Sequence, residues 1–462
     1  MIAFTVSCAF FMQQLDGTVI ATALPQMARS FHDTPINVSV GITAYLLTVA
    51  VFIPSSSWVS DRFGARTIFA TAIVVFTVGS VLCGSAQTLW EFAGARMLQA
   101  VGGAMMVPVG RALVLRTAQK HELIGLMQVI TVPGLVAPVV GPPLGGFITT
   151  YASWRWIFFL NVPIGLVGLA MVLLLMQNFR EPERRPFDVV GFVLSGAGLA
   201  TLMYGLTLLG HEGGNWATGI GTLLAGAVIL VIAVRHALRH PTPLIDLAPT
   251  RIPTFRTGMM SGGALFRLTI GATPFLWPLM FQVGFGMTAF LSGGLMMACT
   301  GADIGAQIFA RRIIRHFSFR RVMVVCGSLA TLFLFACALF TRNTPLAVIA
   351  VVLALIGIFR SIEYTAISAL AYCDVPQEQM SMASTLVSTS NQMTNGAGVA
   401  VAAIALNVIA TVRGGHPLDV TDFQLAFVAI AVLGVIATAT FAGLPPDAGA
   451  SIARPAPKTA AV

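Results

Sequence analysis

Runs of about twenty residues with almost no charge recur along this chain, each long enough as a helix to cross the hydrocarbon core of a bilayer. They fall at roughly 2–27, 38–58, 67–86, 89–115, 122–150, 155–177, 189–209, 219–237, 258–283, 289–310, 322–341, 345–372, 382–411 and 423–444. Fourteen such helices consume most of 462 residues and leave only short connections, so no sizeable soluble domain fits. The composition agrees: 9% of residues are charged and 56% apolar, where a soluble domain carries about 25% charged residues. The expected fold class is therefore an all-α membrane protein with 14 transmembrane helices. Cys8, Cys83, Cys299, Cys326, Cys337 and Cys373 all lie inside these runs, where a thiol behaves as a small hydrophobe rather than half of a disulfide.

The formal charge of +9 comes from 26 Lys and Arg against 17 Asp and Glu, and their positions explain the excess. With both termini cytoplasmic, the inner loops and helix ends collect Arg62, Arg66, Arg111, Arg116, Lys120, Arg180, Arg184, Arg185 and the cluster from Arg311 to Arg321, while the outer side holds only Arg29, Arg155, Arg342 and Arg413. That bias orients a multi-pass protein of the cell (plasma or inner) membrane. It leaves nothing for a nucleic-acid partner to explain, and no aromatic interleaving or nucleic-acid-binding fold accompanies the basic residues. The first run has no basic residue ahead of it and carries Gln13, Gln14 and Asp16 mid-segment, which speaks for a retained first span rather than a cleaved signal. Trp90, Trp154, Trp156 and Trp216 fall at outer ends, as interfacial anchors do.

The chain repeats itself. Arg96-x-x-Gln99 in the fourth run and Arg360-x-x-Glu363 in the twelfth are 264 residues apart, and Gln128 with Gly134 matches Gln392 with Gly398 at the same offset. Parallel six-span repeats mark secondary transporters. The expected organisation is an N-terminal half at 1–180, an inserted two-helix segment with its cytoplasmic linker at 181–257, a C-terminal half at 258–444 and a cytoplasmic tail at 445–462.

Signatures of soluble enzymes are missing: the G-x-G pairs lack a third glycine and no Walker lysine exists, so neither an enzyme nor an ATP-driven pump is expected. All seven histidines lie in loops or at span ends, leaving no intramembrane metal site, and no cofactor is implied. Charges inside the apolar runs are more informative. Asp16, Arg96, Arg267, Asp303, Arg360 and Glu363 each cost at least a few kcal/mol in hydrocarbon, so each should face a protein interior or a wet cavity, or pair to pin helices together. Arg360 and Glu363, three apart on one helix, share a face and can pair; the same carboxylate beside a cavity could instead serve as a second proton or cation site.

At Leu15-Asp16-Gly17-Thr18-Val19-Ile20-Ala21-Thr22-Ala23-Leu24-Pro25 the pattern resembles the first-span motif of the fourteen-span drug:H+ antiporter family of the major facilitator superfamily. Asp61-Arg62-Phe63-Gly64-Ala65-Arg66 resembles the superfamily's loop between spans two and three, and Arg96-x-x-Gln99-x-x-Gly102-Gly103-Ala104 its fourth-span motif. The stretch from Gly134 through Ala137-Pro138-x-x-Gly141-Pro142-Pro143-Leu144-Gly145-Gly146 resembles its antiporter motif, and Ser153-Trp154-Arg155-Trp156-Ile157-Phe158-Phe159-Leu160-Asn161-Val162-Pro163-Ile164-Gly165 resembles the fourteen-span family in particular. Ser57, Ala100 and Ala21 depart from these motifs, the last where an Asn is usual, which bears on the substrate more than on the mechanism.

The resemblance implies two six-helix halves rocking about a midplane cavity lined by the first, fourth, ninth and twelfth spans, with a proton exchanged for a small amphiphilic organic molecule. Asp16, alternately exposed to the two sides, would load and unload the proton. Arg96 is a fixed positive charge beside it, with Gln99 on the same helix. Arg267, Arg360 and Glu363 would line the substrate cavity. Asp61, Arg62 and Arg66 would gate the cytoplasmic mouth, unless their charge only sets topology. Gly134, Pro138, Gly141, Pro142, Gly145 and Gly146 form a packing device in which prolines favour kinks and glycines allow close helix approach. The expected partners are protons, a small-molecule substrate and the lipid bilayer, and a monomer is the expected state. The alternatives are a proton-coupled carrier of an anionic metabolite, motivated by the three buried arginines, and a non-transporting membrane sensor or scaffold.

Overall fold

A computed structural model describes residues 2–117, 123–176, 178, 186–210, 216–376, 379–414 and 417–445. Their regular secondary structure is helical, with no strand among the described residues. The first part of the chain forms α1 (Ile2–Val19), α2 (Leu24–Phe31), α3 (Pro35–Val38), α4 (Val40–Phe52), α5 (Ser56–Phe63), α6 (Ala65–Ser85), α7 (Leu89–Thr117), α8 (Leu123–Tyr151), α9 (Trp156–Phe159) and α10 (Asn161–Leu175). Then come α11 (Val189–Gly210) and α12 (Trp216–Arg239). The remainder forms α13 (Pro253–Met259), α14 (Gly262–Leu279), α15 (Ala289–His316), α16 (Phe319–Cys337), α17 (Leu346–Tyr372), α18 (Met380–Val412) and α19 (Val420–Ala442). Among the described residues, 11 helical stretches are long and apolar enough to cross a membrane. The tail at 446–462 and most of the linker at 179–185 lie outside the described residues, as do His121, His211 and His416.

Four expected spans are interrupted, among them the run at 38–58, by a 3₁₀ turn at Ile53–Ser55, and the run at 155–177, at Leu160 between α9 and α10. The first span passes from α1 through a 3₁₀ turn at Ile20–Ala23 into α2, where Pro25 sits in the first turn. The run expected at 258–283 begins with a break at Met260–Ser261 between α13 and α14 and ends in a π-helical turn, Met280–Gly284. By contrast α8 continues as helix through Pro133, Pro138, Pro142 and Pro143.

Helix packing in the first and last parts of the chain follows the same pattern. α6 lies along α7 and α4 along α7 in the first part, as α16 lies along α17 and α15 along α17 in the last; α1 packs on α8 as α14 packs on α18. Both of the latter seams depend on glycine: a Cβ added at Gly141 would strike the Thr18 hydroxyl, and one at Gly398 would strike the Leu268 carbonyl. α11 and α12 pack on each other, and α11 also leans on both α4 and α18.

The apolar core divides unevenly. One large cluster joins residues of both halves, from Met27, Phe92, Trp154 and Phe158 to Phe275, Phe281, Phe340 and Phe427. Two further clusters stay within one half each, around Phe69 and Met106 and around Phe319 and Ile367. The halves are thus sealed together at the end that carries Tyr151 and Ala289. Trp154 belongs to this seal: only 2% exposed, it packs edge-on against Phe31, Phe92 and Phe158. Its expected role as an interfacial anchor is corrected accordingly, whereas Trp90, Trp156 and Trp216 are exposed. An indole with aromatic neighbours on several sides gains more from burial than from an interface.

Candidate proton-coupling site and central cavity

Asp16, near the C-terminal end of α1, is buried, and its carboxylate oxygens are held by polar partners. Arg96 Nη1 on α7 stands 2.7 Å from Asp16 Oδ2, both side chains 1% exposed or less. Gln99 Nε2 donates to Asp16 Oδ1 at 2.9 Å and Asn161 Nδ2, at the start of α10, donates to the same oxygen at 3.0 Å. Both amides also donate to Ser80 Oγ on α6, at 2.7 and 3.2 Å. Arg96 Nη1 further donates to Gln99 Oε1 at 2.6 Å, Nε reaches the Gly41 carbonyl at 3.4 Å, and the guanidinium lies 4.2 Å from the centre of the Tyr45 ring. A buried ion pair survives in such a place only when its remaining donors and acceptors are also satisfied, and four helices contribute to that here. The spacing of Arg96 and Gln99, three apart, puts both on the face of α7 that meets α1 and α6.

Tyr45, Ser80 and Asn161 are site residues that sequence reasoning did not single out. Each is a polar side chain inside an apolar run, and Asn161 lies within the motif that carries the family resemblance. Ala21, where an amide would be usual, sits in the 3₁₀ turn beyond Asp16; the amides that reach Asp16 come from Gln99 and Asn161 instead. Thr18 donates to the Gln14 and Leu15 carbonyls within its own helix.

In the C-terminal half Arg360 and Glu363, which their spacing would allow to pair, do not pair. Arg360 Nη2 reaches across to Asp303 Oδ2 on α15 at 3.0 Å. Glu363 points to the other side of α17, toward Gly327 on α16 and Thr438 on α19. It is 1% exposed and neither oxygen has a hydrogen-bond partner. The reason is geometric: residues three apart are turned by about 60° around a helix, and Asp303 lies on the side that Arg360 can reach. Arg267 and Arg360 line one cavity of about 220 Å³ together with Asp303, Gln307, Tyr364, Asn391 and Asn395. Glu363 opens instead to a smaller cavity with Phe266, Thr331 and Leu334, into which Arg360 also reaches.

At the other end of the N-terminal half, Asp61 and Arg62 close α5 and Arg66 opens α6 about Gly64, whose φ of 95° suits glycine. Arg62 stacks 5.8 Å from the Trp58 ring centre, and Arg66 Nη2 donates to the Leu173 carbonyl. In the antiporter-like segment of α8, Gly141 and Gly145 face α1, while Gly146 faces the Ala289 backbone of α15 and the Pro142 carbonyl faces Gly293. Gly134 has open space where a Cβ would stand, so close approach does not explain it. Where α11 begins and α12 ends, Asp188 Oδ1 meets His236 Nε2 at 2.8 Å, and His240 offers a third ligand atom close by. The Asp188 oxygens already accept from the Gly191 and Leu244 N–H groups, which makes the cluster a helix cap tying α11 to α12. Burial opposes the charge on Asp188, but these hydrogen bonds and His236 win and hold its carboxyl below the ordinary range.

Residues 6–399 match the family model of the Major Facilitator Superfamily. The chain belongs to that superfamily. It is 37% identical to a multidrug resistance protein MdtD from Enterobacter sp. (strain 638), over 97% of this chain and 95% of that protein. It is also 37% identical to the MdtD of Serratia proteamaculans (strain 568), over 96% and 93%. Among solved structures it resembles a D-xylose-proton symporter, with a TM-score of 0.67 at 13% identity over 97% of this chain and 98% of that one. A bacterial homolog of the human lysosomal transporter Spinster, inward-facing and unoccupied, gives a TM-score of 0.66 at 15% identity over 97% and 96%. These solved structures share the fold. The superfamily assignment makes this a membrane transporter and not an enzyme.

Proposed function

We propose that this transporter exchanges protons for small amphiphilic organic compounds and exports them by alternating access. The observation that carries the reading is the Asp16–Arg96 pair, 2.7 Å apart and wholly buried, a carboxylate tied to a fixed cation inside the apolar helices. A proton arriving on Asp16 removes the attraction that joins α1 to α7, and the amides of Gln99 and Asn161 allow either protonation state to stay hydrogen-bonded. Protonation is thereby linked to helix packing, which is what a coupled antiporter requires. The names of the MdtD relatives support the multidrug class of substrate.

In this reading α1 with α2, α7 and α8 join the 11 apolar stretches to make fourteen spans. Residues 1–180 and 258–444 are the moving halves, and α11 and α12 are the inserted pair within 181–257. Both termini are cytoplasmic, which puts the sealed Tyr151–Ala289 end outside and the Asp61, Arg62 and Arg66 turn at the inner mouth; the protein works as a monomer in the cell membrane. Entry of one proton is worth about 2.3 kcal/mol per 100 mV, enough to bias export uphill.

The test is Asp16→Asn in proteoliposomes. An amide cannot carry a proton, so uptake against a gradient under an imposed pH difference is expected to vanish while exchange of labelled substrate down its own gradient persists. Asp16→Glu, which keeps the carboxyl, should retain part of the driven uptake. Normal concentrative uptake by the Asn variant would sink the proposal.

A further inference from the structure

Three arginines lie away from the ends of the apolar runs, and two of them have a carboxylate: Arg96 has Asp16 at 2.7 Å and Arg360 has Asp303 at 3.0 Å. Arg267 does not. It is 1% exposed on α14, Nη1 donates to the Gly258 carbonyl at 2.9 Å, Nη2 lies 3.7 Å from Met259 Sδ, and Nε has no hydrogen-bond partner. Among the described residues no carboxylate approaches it within ion-pairing distance, and Glu363 opens to a different cavity. A guanidinium cannot shed its proton to escape the cost of burial, and a buried charge without a counter-charge costs several kcal/mol.

What Arg267 does have is space. It lines the cavity of about 220 Å³ whose other walls carry Gln307, Ser361, Tyr364, Asn391 and Asn395. That volume exceeds the ~150 Å³ that accepts a benzene ring. The Asn391 carbonyl oxygen also lacks a partner, and its amide only grazes the Tyr364 hydroxyl at 3.5 Å. Because Asp303 is engaged by Arg360, the cavity wall presents one net positive charge and several neutral donors. An oxyanion can take both guanidinium and amide hydrogen bonds there, and such charge-assisted bonds are the strongest available to Arg. The Gly258 contact places the guanidinium at the C-terminal end of α13, where a cation is favoured, and this holds the head in place at the cavity wall.

We infer that Arg267 is the anchor of an anion subsite in the C-terminal half, and that the transported amphiphiles include ones bearing an oxyanion head. This rests on the transport reading above and narrows its substrate class.

Three probes on one ring system test it: naphthalene-2-sulfonate, which stays ionised at every working pH, the neutral naphthalene-2-sulfonamide, and the cationic (2-naphthyl)trimethylammonium. Equilibrium binding to the detergent-purified protein is expected to favour the sulfonate at least tenfold over the other two. Arg267→Gln should reduce that preference to under threefold without weakening the cation. Asn395→Asp, which places a carboxylate in the same cavity and leaves the Gly258 cap intact, should turn the preference toward the ammonium and serves if Arg267→Gln fails to fold. Equal binding of the three probes by the unaltered protein, or a sulfonate preference that survives both substitutions, overturns the inference. Proteoliposome uptake under a pH gradient separates this from the parent proposal: driven movement of only the amide or the ammonium leaves proton-coupled transport standing and removes the anion subsite, whereas binding of the sulfonate with no driven movement of any probe keeps the subsite and removes the coupling.

Discussion

Two buried carboxylates, one on α1 and one on α17, are handled in opposite ways. Asp16 has three donors, one of them its counter-ion, while Glu363 has none. The distinction sets an order for two substitutions in the C-terminal half. Asp303→Asn leaves Arg360 without its only carboxylate, and with the two side chains 13% and 26% exposed the loss should be roughly 1–3 kcal/mol, below the 3–5 kcal/mol of a fully buried pair. Glu363→Gln breaks no ion pair and should change stability by less than about 1 kcal/mol, while altering the pH profile of transport if that carboxyl takes part in the cycle. Thermal unfolding of both variants in detergent checks the order. A Glu363→Gln protein less stable than Asp303→Asn would mean that Glu363 has a structural partner after all.

Between elements, the connection from α18 to α19 offers a pH dependence whose sign follows from contacts. Arg413 donates to Asp419 at 2.8 Å and also to Asp422, and Asp419 caps α19 by accepting from the Asp422 N–H at 3.0 Å. The bond from Arg413 pulls the Asp419 carboxyl down to about 2, against an ordinary 3.8. A depressed carboxyl contributes stability that is fully present above its unfolded-state value and is lost as pH falls through the folded one. Amide exchange across 419–424 is therefore expected to be constant from about pH 5 to 8, after correction for intrinsic exchange, and to accelerate between about 4 and 2. In Arg413→Gln the acceleration should begin nearer the ordinary carboxylate range. The cap between α11 and α12 behaves similarly in direction, since the contacts that lower Asp188 also fail in acid. α11 touches both halves, so this hairpin can follow neither half alone, and its tie through Asp188 keeps α12 with it.

For the whole molecule, the decisive feature is the seal between α8 and α15. Gly146 meets the Ala289 backbone and Gly293 the Pro142 carbonyl, with Gln282 Nε2 donating across to the Thr22 carbonyl at 3.0 Å and the Phe290 N–H to Thr150 Oγ1 at 3.1 Å. A side chain at either glycine has backbone opposite it and nowhere to turn, so Gly146→Val should force the halves apart at this end. Spin labels at positions 151 and 290, in a background without native cysteines, are expected to show a longer distance distribution in Gly146→Val than in the parent. An unchanged distribution together with unchanged stability would show that the glycines do not set this state.

The sequence by itself determined the helical membrane architecture, because a backbone in hydrocarbon must satisfy its own hydrogen bonds and stretches of about twenty apolar residues do so only as helices. It also determined the pairing of Arg96 with Gln99 on one helix face, which follows from their spacing along the chain. Tertiary structure alone decided which charges met. Arg360 turned to Asp303, 57 residues away, rather than to Glu363 on its own helix; Asn161 came to Asp16 from 145 residues away; and Trp154 left the interface for the aromatic core. Helical spacing fixes only the direction in which a side chain leaves its own axis. Whether that direction meets a partner, an apolar wall or a cavity is fixed by the neighbouring helices, and their placement depends on where glycines let backbones approach.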